Sequence, residues 1–136
     1  AFPERPVVCF SGDGSLQMNI QELATAVEQR APVKIVVLNN QSLGLVRQQQ
    51  RLFYEQHYFA SSYGIAVDFA AIARGFGMQA YDLGSADNPD TLLCEAMRHP
   101  GPCLINVPID IEAEVTPMVP PGAANTTMIG DSYACN

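Results

Sequence analysis

The chain has 136 residues, the size of one domain, and with 48% apolar and 15% charged residues it suits a packed core rather than a disordered chain. Lys and Arg total 7 against 14 for Asp and Glu, and this formal net charge of −7 excludes the basic face of a nucleic-acid-binding domain and a polybasic membrane contact. No apolar run reaches the roughly 18 residues of a transmembrane helix, and the cysteines (Cys9, Cys94, Cys103, Cys135) form no CxxC pair and have only His57 and His99 as co-ligands, which argues against a zinc site.

In chain order, residues 6–11 (PVVCFS) form a continuous apolar run that stops at Gly12-Asp13-Gly14. Such a run predicts a strand buried on both faces of a parallel sheet, with Cys9 a buried thiol. Leu16, Ile20, Leu23, Ala24, Val27 and Ala31 fall on one helical stripe. Asn19 and Glu22 give it a capping-box-like start, and Pro32 stops it. Residues 33–38 (VKIVVL) predict a second buried strand, ended by Asn39-Asn40. Residues 40–67, rich in Gln and aromatics, read as a long connection of the kind that carries function. Asp68 is a candidate cap for a helix over 69–76, and residues 78–83 give a weaker strand. Asp90 and Thr91 open a third helix that runs to about Arg98, before Pro100-Gly101. Residues 103–107 (CLINV) predict the last strand, with Cys103 a second buried thiol. The buried thiols and the absence of a leader-like N-terminus predict a reduced, cytoplasmic protein. The tail, with Pro108, Pro117, Pro120 and Pro121 and no periodic face, reads as an extended arm. The expected fold is α/β: a three-layer α/β/α domain with a mostly parallel sheet of about four strands over residues 1–108, followed by a Pro-rich arm over 109–136.

Two turns carry chemistry. Gly12-Asp13-Gly14-Ser15 and Asn39-Asn40 end consecutive strands, and ligands of open parallel sheets bind outside such ends. A turn, one helix and one strand separate Asp13 from Asn40, so the two can lie side by side. A carboxylate, an amide oxygen and a nearby backbone carbonyl make a hard, oxygen-only site suited to Mg²⁺ with phosphate. Singly, each motif is equally a plain turn or strand end; at this spacing the pair favours a ligand site. A dinucleotide fingerprint fails because Gln17 stands where its third Gly belongs, and no GxxxxGK[ST] loop is present.

The paired turns resemble the thiamine-diphosphate motif. MNIQELATA (18–26), VVLNNQSLGLVRQQQRLFYEQ (36–56) and PMVPPGAAN (117–125) resemble the large catalytic subunit of the acetolactate synthase (acetohydroxyacid synthase) family. The QQQ and PPGAAN versions look most like the bacterial isozyme I type, and the likeness covers only its C-terminal, diphosphate-binding domain. The resemblance implies that Asp13 and Asn40 coordinate Mg²⁺ by side chain and Ser42 by its backbone carbonyl. Gly12, Gly14 and Ser15 would line the diphosphate of thiamine diphosphate. Gly44, Leu45 and Val46 would lie against its rings, Leu45 standing where many members have Met. Gln49 departs from a Trp common in the family, which weakens the expectation of a strong 2-ketobutyrate preference. The family's reaction decarboxylates pyruvate and joins the remaining unit to a second 2-oxo acid, pyruvate or 2-ketobutyrate, in branched-chain amino-acid biosynthesis. Its activating Glu and its FAD belong to other domains, so no catalytic residue is expected here and the isolated chain should be inactive. A homodimer of catalytic subunits with a small regulatory subunit is the implied assembly, with no nucleic-acid or membrane partner. His57 and Tyr58 are the only tempting acid/base groups and read as loop or interface residues. The rivals are another thiamine-diphosphate-dependent decarboxylase or carboligase, and a non-catalytic flavodoxin-like module that binds a phosphate ligand.

Overall fold

A computed structural model of the chain describes residues 5–130; the end of the expected arm, 131–136, lies outside the described residues. The elements are β1 (Val7–Gly12), α1 (Asp13–Met18), α2 (Glu22–Glu28), β2 (Val33–Asn39), α3 (Gly44–Phe53), α4 (Phe69–Gly75), β3 (Gln79–Asp82), α5 (Pro89–Arg98) and β4 (Cys103–Pro108). The strands form one parallel sheet in the order β1-β2-β4-β3. The steps β1→β2 and β2→β3 run in the same direction along the sheet, and β3→β4 runs back. Right-handed crossovers therefore put α5 on the opposite face from α1, α2 and α4.

The core bears this out. Leu16, Leu23, Phe69, Ala70 and Ala73 from α1, α2 and α4 pack on Val37, Ala80 and Leu104 of one sheet face. Ala96 of α5, with Leu92, packs on Val36, Tyr81, Cys103 and Ile105 of the other. The expected three-layer α/β/α architecture is thus present, with alternate strand residues feeding alternate faces. Lys34, mid-strand and 2% exposed, sends its ammonium to the carbonyls of His99 (2.5 Å) and Gly101 (2.7 Å), just past the C-terminal end of α5. A cation is favourable at that end of a helix, which is how a lysine is tolerated inside the sheet. Burial pushes the Cys103 thiol up, against the pull of the Lys34 charge. Among the described residues no helix is long and apolar enough to cross a membrane.

Five sequence expectations change. The 16–31 stripe is two helices, broken at residues 19–21; Leu16, Leu23 and Val27 share one core, so periodicity reported a common face and not a continuous helix. Asn19 is the C-cap of α1 and not the N-cap of the next helix: α2 starts after Gln21 with no side-chain cap. The helix expected from Asp90 starts at Pro89, capped by Asn88 through Thr91 N (3.0 Å), whereas Asp68 does cap α4 through Ala71 N (2.8 Å). β1 is an edge strand and not a doubly buried one: Val7 is 55% and Phe10 70% exposed, and Cys9 is an exposed thiol. No described helix covers that end of the sheet, and a bare apolar strand of this kind is a surface suited to further burial. The fifth change is that the 40–67 connection contains a helix, α3. Its apolar residues Leu45, Val46, Leu52 and Phe53 fall at i, i+1, i+7 and i+8 on one helical stripe, but the one residue it buries is Gln48.

Candidate functional site

The carboxyl ends of β1 and β2 lie in register, Gly12 beside Leu38. Gly12 is extended, and the chain turns directly into α1 at Asp13. The Asp13 side chain is 2% exposed. Its Oδ1 accepts from Gly14 N at 2.7 Å, while its Oδ2 is buried without a hydrogen-bond partner. A half-satisfied buried carboxylate is costly unless a cation or donor meets it.

β2 ends in a turn that arranges the second half of the site. Asn40 Oδ1 accepts from Ser42 N at 3.2 Å, with Gln41 between them at φ +55°. Asn40 Nδ2 stands 2.8 Å from where a Cβ on Gly44 would be, so Gly44 must be bare for this amide to sit over it. Segments 41–43 and 61–63 form a short antiparallel bridge, Ser42 opposite Ser62. Leu43 N donates to Ser61 O (2.8 Å) and Tyr63 N to Gln41 O (3.0 Å). These bonds bracket Ser42, so its own N–H and C=O point away from the 61–63 segment. The N–H is taken by Asn40, and the carbonyl faces outward.

The bridge closes on the first turn. A Cβ on Gly14 would meet Leu43 Cδ2 at 2.7 Å and the Tyr63 hydroxyl at 2.8 Å. The bareness of Gly14 therefore serves internal packing, while Gly12, with nothing within 4 Å of such a Cβ, keeps an open side. Burial and the Asp13 charge push the Tyr63 phenol up, against a weaker pull from Gln17. The buried side-chain oxygens left without a hydrogen-bond partner among the described residues are Asp13 Oδ2, Ser42 Oγ, Ser61 Oγ and the Tyr63 hydroxyl, all from these two turns and their bridge.

Between the turns opens a cleft of about 540 Å³. Gly12, Asp13, Gly14, Ser15, Asn40, Ser42, Gly44, Leu45 and Val46 all line it, so the structure brings these sequence candidates together. Leu45 and Val46 are exposed there. Gln49 is not in the cleft. It faces an adjoining hollow of about 590 Å³ with Gln50, Phe53, Tyr54 and His57, joined to the cleft through Val46, which lines both. Among the described residues no three His, Cys, Asp or Glu side chains gather, so a cation here would rest on one carboxylate with amide and carbonyl oxygens.

Sequence reasoning missed the opposite wall. Ala113, Glu114 and Val115 of the arm line the cleft, held there by α3. Gln48 Nε2 donates to Val115 O (2.9 Å), and Val115 N donates back to Gln48 Oε1 (3.1 Å). Arg47 pairs with Glu112 and Arg51 with Glu114. The Arg47 guanidinium also lies 4.1 Å from the centre of the Tyr58 ring, and His57 Nδ1 is 3.1 Å from Tyr54 O, so both former acid/base candidates are engaged locally. The basic-then-acidic order of 47–51 and 112–114 was the available signal for this docking.

Residues 1–107 match the family described as thiamine pyrophosphate enzyme, C-terminal TPP binding domain, and the chain belongs to it. Within that class the chain is similar to the acetolactate synthase isozyme 1 large subunit of Escherichia coli (strain K12), 56% identical over 131 residues, 96% of this chain and 23% of that one. It is 42% identical to the isozyme 2 large subunit of the same organism over 129 residues, 95% of this chain and 24% of that one. Among solved structures, benzoylformate decarboxylase from Polynucleobacter necessarius superposes with a TM-score of 0.72 at 30% identity, covering 81% of this chain and 20% of that chain. The chain thus spans about a quarter of the length of the curated relatives it matches.

Proposed function

We propose that this chain is the part of an acetolactate synthase catalytic subunit that holds the diphosphate end of thiamine diphosphate with Mg²⁺. The half-paired, buried Asp13 carboxylate beside the Asn40 turn carries this reading. The residues fit the group. Asp13 Oδ2 supplies a charged oxygen, Asn40 Oδ1 keeps a second lone pair after accepting from Ser42, and the Ser42 carbonyl faces outward. Gly12 and Ser15 offer the open side to phosphate oxygens, while Gly14 N is committed to Asp13 and Gly14 acts by letting the bridge approach. Gly44 admits the Asn40 amide, and Leu45 and Val46 present apolar surface that excludes water beside the cofactor's rings.

When bound, thiamine diphosphate supplies the electron sink for decarboxylating pyruvate and joining the remaining two-carbon unit to a second 2-oxo acid. This chain orients the diphosphate through the Mg²⁺ that its oxygens would hold, the cation supplying the neutralising charge, and walls the cleft with residues 113–115. Gln49, in the adjoining hollow, is placed to meet the acceptor and lacks the apolar surface that would favour 2-ketobutyrate over pyruvate. The activating Glu, FAD and the remaining subunit contacts belong to the rest of the enzyme: a cytoplasmic homodimer with a small regulatory subunit, serving branched-chain amino-acid biosynthesis. The diphosphate-binding body is assigned to 1–108 and the arm to 109–136, residues 113–115 of the arm forming the second wall of the cleft, and the fragment alone is inactive. The exposed apolar residues Leu43, Leu45, Phe53 and Phe59 support burial against another subunit. The likeness to a benzoylformate decarboxylase fits the rival 2-oxo-acid decarboxylase reading, but the synthase likeness is closer in sequence and spans more of the chain. Product analysis of the full-length enzyme with pyruvate decides between them: acetolactate supports the proposal, and acetaldehyde alone refutes it.

A further inference from the structure

We propose that Asp82, at the end of β3, is a positioning residue for the metal-holding turn, acting across the sheet through the buried amides of Asn106 and Asn39. This rests on the reading of Asp13, Asn40 and Ser42 as the metal-holding set. β3 and β2 are not neighbours; β4 lies between them. A line of hydrogen bonds crosses all three strands. Asn106 Nδ2 donates to Asp82 Oδ1 at 2.8 Å, Asn39 Nδ2 donates to Asn106 Oδ1 at 3.1 Å, and Gln41 N donates to Asn39 Oδ1 at 3.2 Å. Asn39 and Asn106 are 8% and 9% exposed, so an amide that loses its partner here is costly.

The direction of this line is set at its far end. An ionised carboxylate only accepts, whereas an amide has one accepting and one donating side. Asp82 therefore draws the NH₂ side of Asn106 towards itself and turns the Asn106 oxygen to Asn39. That oxygen draws the NH₂ side of Asn39, which leaves the Asn39 oxygen facing Gln41 N. Gln41 is the positive-φ residue between Asn40 and Ser42, so the last bond fixes the turn from which both project. Asn39 O also accepts from Ile109 N (3.0 Å), which ties the start of the arm wall to the same residue. Burial pushes the Asp82 carboxyl up, but hydrogen bonds from Asn106, Gly84 and Ser85 and the nearby Arg74 charge outweigh it and hold the group in its accepting form. An apolar residue at 106 would suit a doubly covered central strand better. Polarity there makes sense as orientation of the turn above it.

The test measures Mg²⁺ affinity in the full-length enzyme at saturating thiamine diphosphate, by calorimetry, for Asp82→Ala, Asp82→Asn, Asn106→Leu and the reference Asp13→Asn. Asp82→Ala and Asn106→Leu should weaken Mg²⁺ binding about tenfold, the lower end for residues supporting a metal's ligands. Asp82→Asn keeps an oxygen for both Asn106 Nδ2 and Gly84 N and should stay within about twofold of wild type. Thermal unfolding without cofactor is the control, and Asp82→Ala, at a partly exposed strand end, decides the matter if Asn106→Leu does not fold. Wild-type Mg²⁺ affinity in Asp82→Ala, or equal losses in Asp82→Ala and Asp82→Asn, would overturn the proposal. If Asp13→Asn itself binds Mg²⁺ like wild type, the metal-site reading falls and takes this proposal with it. If Asp13→Asn fails to bind while Asp82→Ala binds normally, only the proposal falls.

Discussion

Replacing Gln48 with leucine removes the two hydrogen bonds that hold Val115, at 2.9 and 3.1 Å, and leaves an apolar side chain facing the Val115 amide and carbonyl. Two such bonds contribute about 1 kcal/mol each, and the unpaired main-chain groups add a penalty, so the local cost is about 2–3 kcal/mol. The neighbouring ion pairs, Arg47 with Glu112 and Arg51 with Glu114, are partly exposed, and each contributes at most about 1 kcal/mol. The buried glutamine, and not the charges, should therefore decide whether residues 112–115 stay against the cleft. Hydrogen exchange of those amides in the full-length enzyme reads this directly, since local opening sets their exchange rate. Gln48→Leu should accelerate exchange by about 30- to 100-fold, and Arg51→Ala by no more than about fivefold, at 1.4 kcal/mol per factor of ten. Equal acceleration in the two variants, or none in Gln48→Leu, would refute the ranking of these forces.

In Gly14→Ala the new methyl collides with Leu43 and the Tyr63 hydroxyl, an overpacking worth about 1–3 kcal/mol. Thermal unfolding should show that loss, and adding Tyr63→Phe should recover part of it; no recovery would contradict the packing described. Asp82 titrates below its ordinary value of 3.8, so its contribution to stability is present above that pH and is lost as pH falls through the lowered value. In acid titrations of unfolding, Asp82→Asn should therefore be less stable than wild type at neutral pH and converge with it at the acid end, flattening the acid loss; a difference confined to acid pH would contradict the sign. Gln49→Trp should raise the preference for 2-ketobutyrate over pyruvate by about tenfold, the size of a packed apolar contact, and an unchanged product ratio would remove Gln49 from the acceptor pocket.

Much of this fold was readable because strand runs and helical stripes report burial, and β2, β4 and α4 are buried as their patterns say, while α5 buries Ala96. β1 misled because its run is apolar, while among the described residues it is an exposed edge strand. α3 lies within a segment that reads as one long connection, although Leu45, Val46, Leu52 and Phe53 carry a helical period; what the period cannot show is that the buried position is Gln48, a polar dock. At the site, Asp13 and Asn40 with Gly12 and Gly14 stood out from the spacing of the two turns, while Ser42 and Gly44 came only from the family resemblance. Tyr63, Gln48 and the Asp82–Asn106–Asn39 line were not, because each takes its role from a tertiary partner distant in sequence. The reason for Gly14 also needed coordinates, since a bare glycine in a motif does not say which neighbour fills the space.

The most direct measurement is thiamine diphosphate binding by the full-length enzyme, wild type against Asp13→Asn, each with Mg²⁺ and with EDTA. The orphaned Asp13 oxygen as the charged metal contact predicts that wild type binds tightly only with Mg²⁺, and that Asp13→Asn loses at least about tenfold in affinity with Mg²⁺ while differing little in EDTA. Equal affinity of the two proteins in Mg²⁺, or wild-type binding that EDTA leaves unchanged, would contradict the assignment of this cleft.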